Sequence, residues 1–248
     1  MQELQKVESN YISYYAWDPV VRTTHWLNLV FVAVMIYTGF MIGGAVQRPT
    51  TDEPALAFNM ATMRNLHFLG AWLFTINGLF RGLWLFTTKG GYRQLFNFHP
   101  WQADFWREAW WKLKEYVTLR YTDYEMHTLG HNALAAIAYV GVFFTATMLG
   151  LSGLAMYGKQ NVGGVFYHLT GWMIPLFGGE ANLRMLHRLA MWGLIAFTIH
   201  HISFVIYLEV LREKGLLSSM VSGLKQRPRE WQPVDRPWLK QSKPEHGD

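Results

Sequence analysis

Residues 187–208 read HRLAMWGLIAFTIHHISFVIYL, with one charge at the start, Arg188, followed by twenty residues that contain no Asp, Glu, Lys or Arg. A bilayer core takes about 20 apolar residues to cross, and a helix buried in a soluble bundle would carry a polar stripe at every turn instead. Three other stretches have the same character. Residues 26–46 and 131–158 hold no charged side chain, and 66–88 holds only Arg81. Charged residues make up 16% of the 248-residue chain, against roughly 25% in soluble domains. The expected fold is all-α: an integral membrane four-helix bundle with spans at about 25–46, 65–88, 131–154 and 186–208.

Four spans return both termini to one side. The termini and the connection 89–130 carry Lys6, Arg22, Lys89, Arg93, Arg107, Lys112, Lys114 and Arg120, and the tail adds Arg212, Lys214, Lys225, Arg227, Arg229, Arg236, Lys240 and Lys243. The other two connections hold Arg48, Arg64, Lys159, Arg184 and Arg188. Sixteen against five places the termini and the middle connection in the cytoplasm by the positive-inside rule. It also accounts for the net charge of +5 without a nucleic-acid partner. The first 18 residues are polar and the first apolar run is of full length, so helix I is expected as an uncleaved span. Residues 1–211 form the membrane domain, and 212–248, polar and proline-rich, read as a loosely ordered cytoplasmic tail. Within the middle connection, Trp106, Trp110, Leu113 and Val117 recur at helical spacing, with Arg107, Lys112, Lys114 and Glu115 mostly off that stripe. A helix at about 104–118 follows, lying in the membrane interface or docked on the bundle as a solvated loop helix.

The chain has no cysteine, which excludes disulfides, protein-held iron–sulfur clusters, thiolate zinc sites and covalently attached haem. Histidine is left as the ligand for a redox cofactor. Of ten histidines, His25 begins helix I, His67 begins helix II, and His187, His200 and His201 lie at the two ends of helix IV. Ionisable or ligating groups in spans are rare and functional as a rule. His99, His127, His131 and His168 fall in connections or at a span boundary and receive no role.

Residues 14 apart on an α-helix fall about 40° short of four full turns and share a face, about 21 Å apart along the axis. His187 and His201 are so related, whereas His200 is turned roughly 140° away from His187. Helix I runs outward and puts His25 level with His201 near the cytoplasmic face. Helix II runs inward and puts His67 level with His187 near the outer face. Two histidines on opposite sides of one plane suit a six-coordinate haem iron that carries electrons and leaves no substrate position. The count of 14 from His25 reaches Gly39, where a missing side chain leaves room for a flat macrocycle at the outer level. From His67 it reaches Arg81, at the inner level, where a haem propionate could pair with the guanidinium. Arg64 and Arg188 could do the same for the outer haem, or snorkel to the interface.

The strings DPVVRTTHW at 18–26, RNLHF at 64–68, LGHNALA at 129–135 and HRLAMW at 187–192 resemble the b-type cytochrome subunit of membrane-bound nickel–iron hydrogenases. The resemblance covers nearly the whole chain. It is less close to the related cytochrome subunit of formate dehydrogenase, which shares the histidine framework. It implies two haem b groups, the inner iron held by His25 and His201 and the outer by His67 and His187, in the bacterial inner membrane. It also implies hydrogenase small and large subunits on the periplasmic face as partners, and membrane quinone as electron acceptor near the cytoplasmic side. On this reading the chain has no catalytic residue of its own and is the redox subunit of a hydrogen:quinone oxidoreductase complex. Arg22, Tyr37 and His200 are the candidate quinone contacts. A cytochrome serving a formate or thiosulfate dehydrogenase is the alternative, and a proton relay through membrane histidines is a third reading, weakened by the lack of intramembrane Asp or Glu. The connection 154–184 is too apolar to face water bare, which marks it as a partner surface or a membrane-lying segment.

Overall fold

The computed structural model describes residues 11–44, 55–87, 98–119, 131–211 and 215–229. His127 and the basic residues Lys6, Arg48, Lys89, Arg93, Arg120, Arg212, Lys214, Arg236, Lys240 and Lys243 used for orientation lie outside the described residues. In chain order the elements are β1 (Tyr11–Tyr15), α1 (Pro19–Ile42), α2 (Ala55–Thr87), α3 (Ala103–Thr118), α4 (Ala133–Gly158), α5 (Val165–Thr170), α6 (Met173–Leu176), α7 (Glu180–Leu211), α8 (Leu216–Ser222) and β2 (Leu224–Pro228).

Local chemistry sets the helix starts. Asp18 caps α1, its Oδ1 accepting the Val20 amide at 2.8 Å, with Pro19 in the first helical position, where its missing N–H costs nothing. Asn132 caps α4 in the same way, accepting the Ala135 amide at 2.8 Å. Consequently α1 begins six residues before His25, and α2 already contains Arg64, which the sequence places in a connection. Among the described residues, α1, α4 and α7 are long and apolar enough to cross a membrane by length and composition. The 33-residue α2 is not one of them, since His67, Asn77 and Arg81 dilute its apolar run.

Two compact units are built from these elements. The first comprises Thr23–Leu83 and Val140–Ile202. Its buried cluster is Ala155, Met173 and Leu183, packed by Met148, Leu151, Met156, Ile174, Phe177 and Leu186. Helices α1 and α2 are joined by a polar contact, Asn77 Nδ2 donating to the Thr24 carbonyl at 2.8 Å and to Asn28 Oδ1 at 2.6 Å. A short polar side chain that bonds across an apolar helix pair is a common membrane adhesive. Outward, Leu79, Phe143 and Ile199 are each more than 60% exposed, an arrangement costly in water and neutral in hydrocarbon.

The second unit comprises Met1–Arg22, Trp84–Tyr139 and Ser203–Asp248. Of the expected tail, residues 215–229 are described and are ordered, and they add a two-stranded sheet to an otherwise helical chain. The aromatic and β-branched run of β1 pairs antiparallel with β2, Tyr11 opposite Pro228 through Tyr15 opposite Leu224. The ribbon continues into a tight corner. The Ala16 and Trp17 amides donate to the Gly223 carbonyl at 2.8 and 3.2 Å, and Trp17 Nε1 donates to Ser219 Oγ at 3.0 Å. Gly223 has φ 85°, and a Cβ there would stand 2.9 Å from the Trp17 carbonyl oxygen, so only glycine fits. Lys225 and Arg227, counted from sequence as solvated tail charges, are buried.

A second difference concerns α3. Trp106, Trp110, Leu113 and Val117 are exposed, whereas Phe105, Ala109, Lys112 and Glu115 are buried. The face that looks polar in sequence is turned inward. Lys112 Nζ and Glu115 Oε2 lie 2.9 Å apart, neutralising each other one helical turn from the small Ala109, which packs with Phe105, Ala133 and Ala136.

Candidate functional site

All four histidines singled out in the sequence fall in the first unit, and they meet as two pairs. His25 on α1 faces His201 on α7, with ring centroids 6.2 Å apart and planes inclined at 59°. His67 on α2 faces His187 on α7, at 6.4 Å and 60°. Two imidazoles bound to one metal from opposite sides, each through a metal–nitrogen bond of about 2 Å, hold their centroids about 6 Å apart. Both pairs have that separation. No group of three or more His, Cys, Asp or Glu able to hold a bare metal ion occurs among the described residues. Two opposed nitrogens and nothing further are the donor set for an iron whose remaining positions come from a macrocycle. The residues present fit a haem at each pair.

The hydrogen bonds at the His67–His187 pair determine which ring nitrogen is available. Thr38 Oγ1 lies 2.9 Å from His67 Nδ1 and 2.7 Å from the Val34 carbonyl one turn earlier on α1. Ser152 Oγ lies 2.9 Å from His187 Nδ1 and 2.5 Å from the Met148 carbonyl on α4. A hydroxyl has one proton, and the carbonyl can only accept it. Each hydroxyl therefore donates to its own helix and accepts from the histidine, so both rings carry their proton on Nδ1. The backbones of Met35 and Leu149 also hydrogen-bond the two rings. In both rings this leaves the Nε2 lone pair free to bind a metal. At the His25–His201 pair, His25 Nδ1 is buried and has no hydrogen-bond partner among the described residues, while His201 stacks on Phe197 at 5.6 Å and 14°.

Around these pairs the other candidates take definite places. A Cβ on Gly39 would lie 3.6 Å from His67 Cε1 and 3.7 Å from Met191 Sδ, so Gly39 is at the level of His67 and keeps the space beside its ring open. Arg81, half-buried, is close enough to His25 to act on it electrostatically. Arg64 and Arg188 are exposed. His200 is exposed and lies beside His201 on the chain without joining either pair. His131 packs edge-on against Trp17 at 5.3 Å, His99 against Trp101 at 5.3 Å, and His168 is exposed. Arg22 donates to the Val221 carbonyl. Tyr37 precedes Thr38 and lies about 18 Å along α1 from His25. It is exposed and stands nearer along α1 to the level of His67 than to that of His25.

Sequence reasoning missed Thr38, Ser152, Gly153 and Asn77. The signal was a repeat: Thr38–Gly39 on α1 and Ser152–Gly153 on α4 are the same hydroxyl–glycine pair. A Cβ on Gly153 would come 3.4 Å from His187 Cε1, the counterpart of Gly39 against His67. Such short pairs are too common in sequences to stand out before the facing histidine is known. Asn77, a lone amide in an apolar run, could have been noticed on cost alone. Its bond to the Thr24 carbonyl fixes α2 to α1 one residue before His25.

Within the connection 154–184, Val162, Val165, Leu169, Trp172 and Leu176 are all more than half exposed, although α5 and α6 are ordered on Thr170 and Met173.

The family model described as prokaryotic cytochrome b561 matches residues 16–223. Among curated proteins, the chain is 32% identical over 212 residues to the probable Ni/Fe-hydrogenase B-type cytochrome subunit of Cupriavidus necator, covering 84% of this chain and 85% of the relative. It is 27% identical over 224 residues to the probable Ni/Fe-hydrogenase 1 B-type cytochrome subunit of Escherichia coli K12, covering 89% and 94%. The corresponding protein of Azotobacter vinelandii is 29% identical over 213 residues, covering 84% and 87%.

Proposed function

The chain belongs to the prokaryotic cytochrome b561 family, and on that premise we propose that it is an electron-transfer subunit, carrying electrons from a periplasmic nickel–iron hydrogenase through two b-type haems to membrane quinone. The observation that carries this reading is the pair of facing histidine pairs, 6.2 and 6.4 Å between centroids, each with the spacing of two axial ligands on one iron.

A haem at each pair would supply a one-electron carrier, held by one histidine from each of two helices. His25 and His201 hold the inner group, and His67 and His187 the outer one. Arg81 neutralises a propionate at the inner level, and Gly39 leaves the macrocycle its space at the outer level. The 14 residues between His187 and His201 set the two centres about 21 Å apart along α7. Helix α2 is the fourth span, its polar Asn77 bonded to α1 and its Arg81 beside His25, so that neither faces lipid unpartnered. With four spans both termini lie in the cytoplasm, and α3 lies in the inner interface with its tryptophans toward lipid.

The partner is read from the names of the relatives and from the exposed apolar residues of the connection 154–184. On this reading a hydrogenase small subunit, with its large subunit, docks there and delivers electrons at the His67–His187 level. The chain transforms no substrate beyond handing electrons to quinone.

Purification from native membranes tests the reading. A reduced-minus-oxidised spectrum should show b-type haem bands, and hydrogenase subunits should co-purify. A preparation with no haem bands would leave the histidines as a proton relay, and co-purification with another dehydrogenase would replace the partner while keeping the haems.

A further inference from the structure

The two histidine pairs differ in the hydrogen bonding of Nδ1. At the outer pair both Nδ1–H groups are held, His67 by Thr38 Oγ1 and His187 by Ser152 Oγ, each at 2.9 Å. Both hydroxyls are buried, Thr38 at 1% and Ser152 at 0% exposure, and each has its proton committed to a carbonyl of its own helix. At the inner pair His25 Nδ1 is buried without a hydrogen-bond partner among the described residues, and the Arg81 cation lies close to that ring.

A hydrogen bond from the far N–H of a ligating imidazole makes the ring a stronger electron donor. A stronger donor stabilises the oxidised, more highly charged iron, and hydrogen bonding of this kind is one means by which proteins set haem potentials. A nearby cation acts oppositely, favouring the reduced, less charged state. Arg188 directly follows His187 in the chain, so a nearby cation does not separate the two pairs and the hydrogen bonds carry the difference.

We propose that Thr38 and Ser152 are positioning residues that hold His67 and His187 as Nδ1–H tautomers and lower the reduction potential of the outer centre below that of the His25–His201 centre, so that electrons run inward. The proposal rests on the haem reading given above. The step it directs is a single-electron transfer with no bond made or broken. The outer centre loses the electron that the partner reductant supplied, the inner centre gains it, and quinone is the terminal acceptor.

The test uses the full chain, purified with its haems, carrying Thr38→Val, Ser152→Ala or both. Haem per chain and the two midpoint potentials from an optical redox titration are the readouts. The expected result is two haems retained, the lower potential raised in each single variant and raised further in the double, and the higher potential unmoved. Thr38→Ser should restore the native value. Two retained haems with both potentials unchanged would overturn the proposal, as would movement of the higher potential alone. If Thr38→Val fails to bind haem, the native chain still decides through His25→Ala, which must remove the higher of the two potentials; removal of the lower one overturns the proposal. An unsubstituted chain that holds no haem would instead defeat the parent reading, and the two failures are thereby distinguished.

Discussion

His201, and not its neighbour His200, faces His25, the two rings standing 6.2 Å apart between centroids. The cause is helical phase: one residue turns the chain by 100°, enough to carry the adjacent imidazole off the shared face. His201→Ala should therefore reduce the haem content from two groups per chain to one, with the inner centre lost. His200→Ala should leave both. Haem-to-protein ratios and low-temperature spectra of the two variants would check this, and the reverse pattern would show that α7 has been read in the wrong phase.

Stoichiometry is the second expectation. Two pairs with the spacing of axial ligands, and no cysteine for covalent attachment, predict two non-covalent haems per polypeptide. Acid acetone should extract both. Release of a single equivalent from fully loaded protein would leave one histidine pair without its function.

Gly39 gives a steric test. A Cβ there would sit at ordinary contact distance from the His67 ring, 3.6 Å, so the protein alone tolerates a methyl group. A larger side chain would occupy the space beside that ring. Gly39→Leu should lose the outer haem while circular dichroism shows the helices intact, and Gly39→Ala should be milder. Full haem loading of the leucine variant would mean that the macrocycle does not approach α1 at this level.

Direction of flow makes a fourth prediction. On the proposed function, with hydrogen oxidised outside and quinone reduced at the inner level, electrons alone would cross the membrane, and turnover should build a potential positive outside. His25→Ala should then abolish quinone reduction, while hydrogen still reduces the remaining haem in the purified complex. Quinone reduction at the normal rate in this variant would place the quinone site at the outer level.

The ion pair inside the second unit allows a stability prediction. Lys112 and Glu115 are 6% and 3% exposed, and breaking a buried pair by removing one partner costs about 3–5 kcal/mol, whereas replacing both by apolar groups is often neutral. Glu115→Ala should lower the midpoint of thermal unfolding in detergent. The double replacement Lys112→Met with Glu115→Leu should recover most of the loss. Equal destabilisation by the single and double variants would show that the charges themselves are required.

The long helices were legible because they are decided by composition: a run of about 20 apolar residues has one use. Their ends were less so, since Asp18 and Asn132 act as caps only once the backbone turns there, which lengthens α1 at its start and shifts the start of α4. On α3 the sequence identified the apolar stripe, but not that the opposite face would be buried. Residues 224–228 showed no strand signal because their pairing partner, Tyr11–Tyr15, lies more than 200 residues away.

What the sequence determined by itself was whatever helical phase and composition can fix: the apolar helices, the shared face of His187 and His201, the level of Gly39 and Arg81, and the exclusion of thiolate chemistry. What only the tertiary structure decided was which groups meet between helices. Thr38 on His67, Ser152 on His187, Asn77 on Thr24 and the meeting of His25 with His201 depend on the approach and rotation of separate helices, and one helix's periodicity contains no information about its neighbour's. A hydroxyl 2.9 Å from an imidazole fixes a proton, and with it the nitrogen that is free to bind metal. The same hydroxyl one helical turn away would fix nothing.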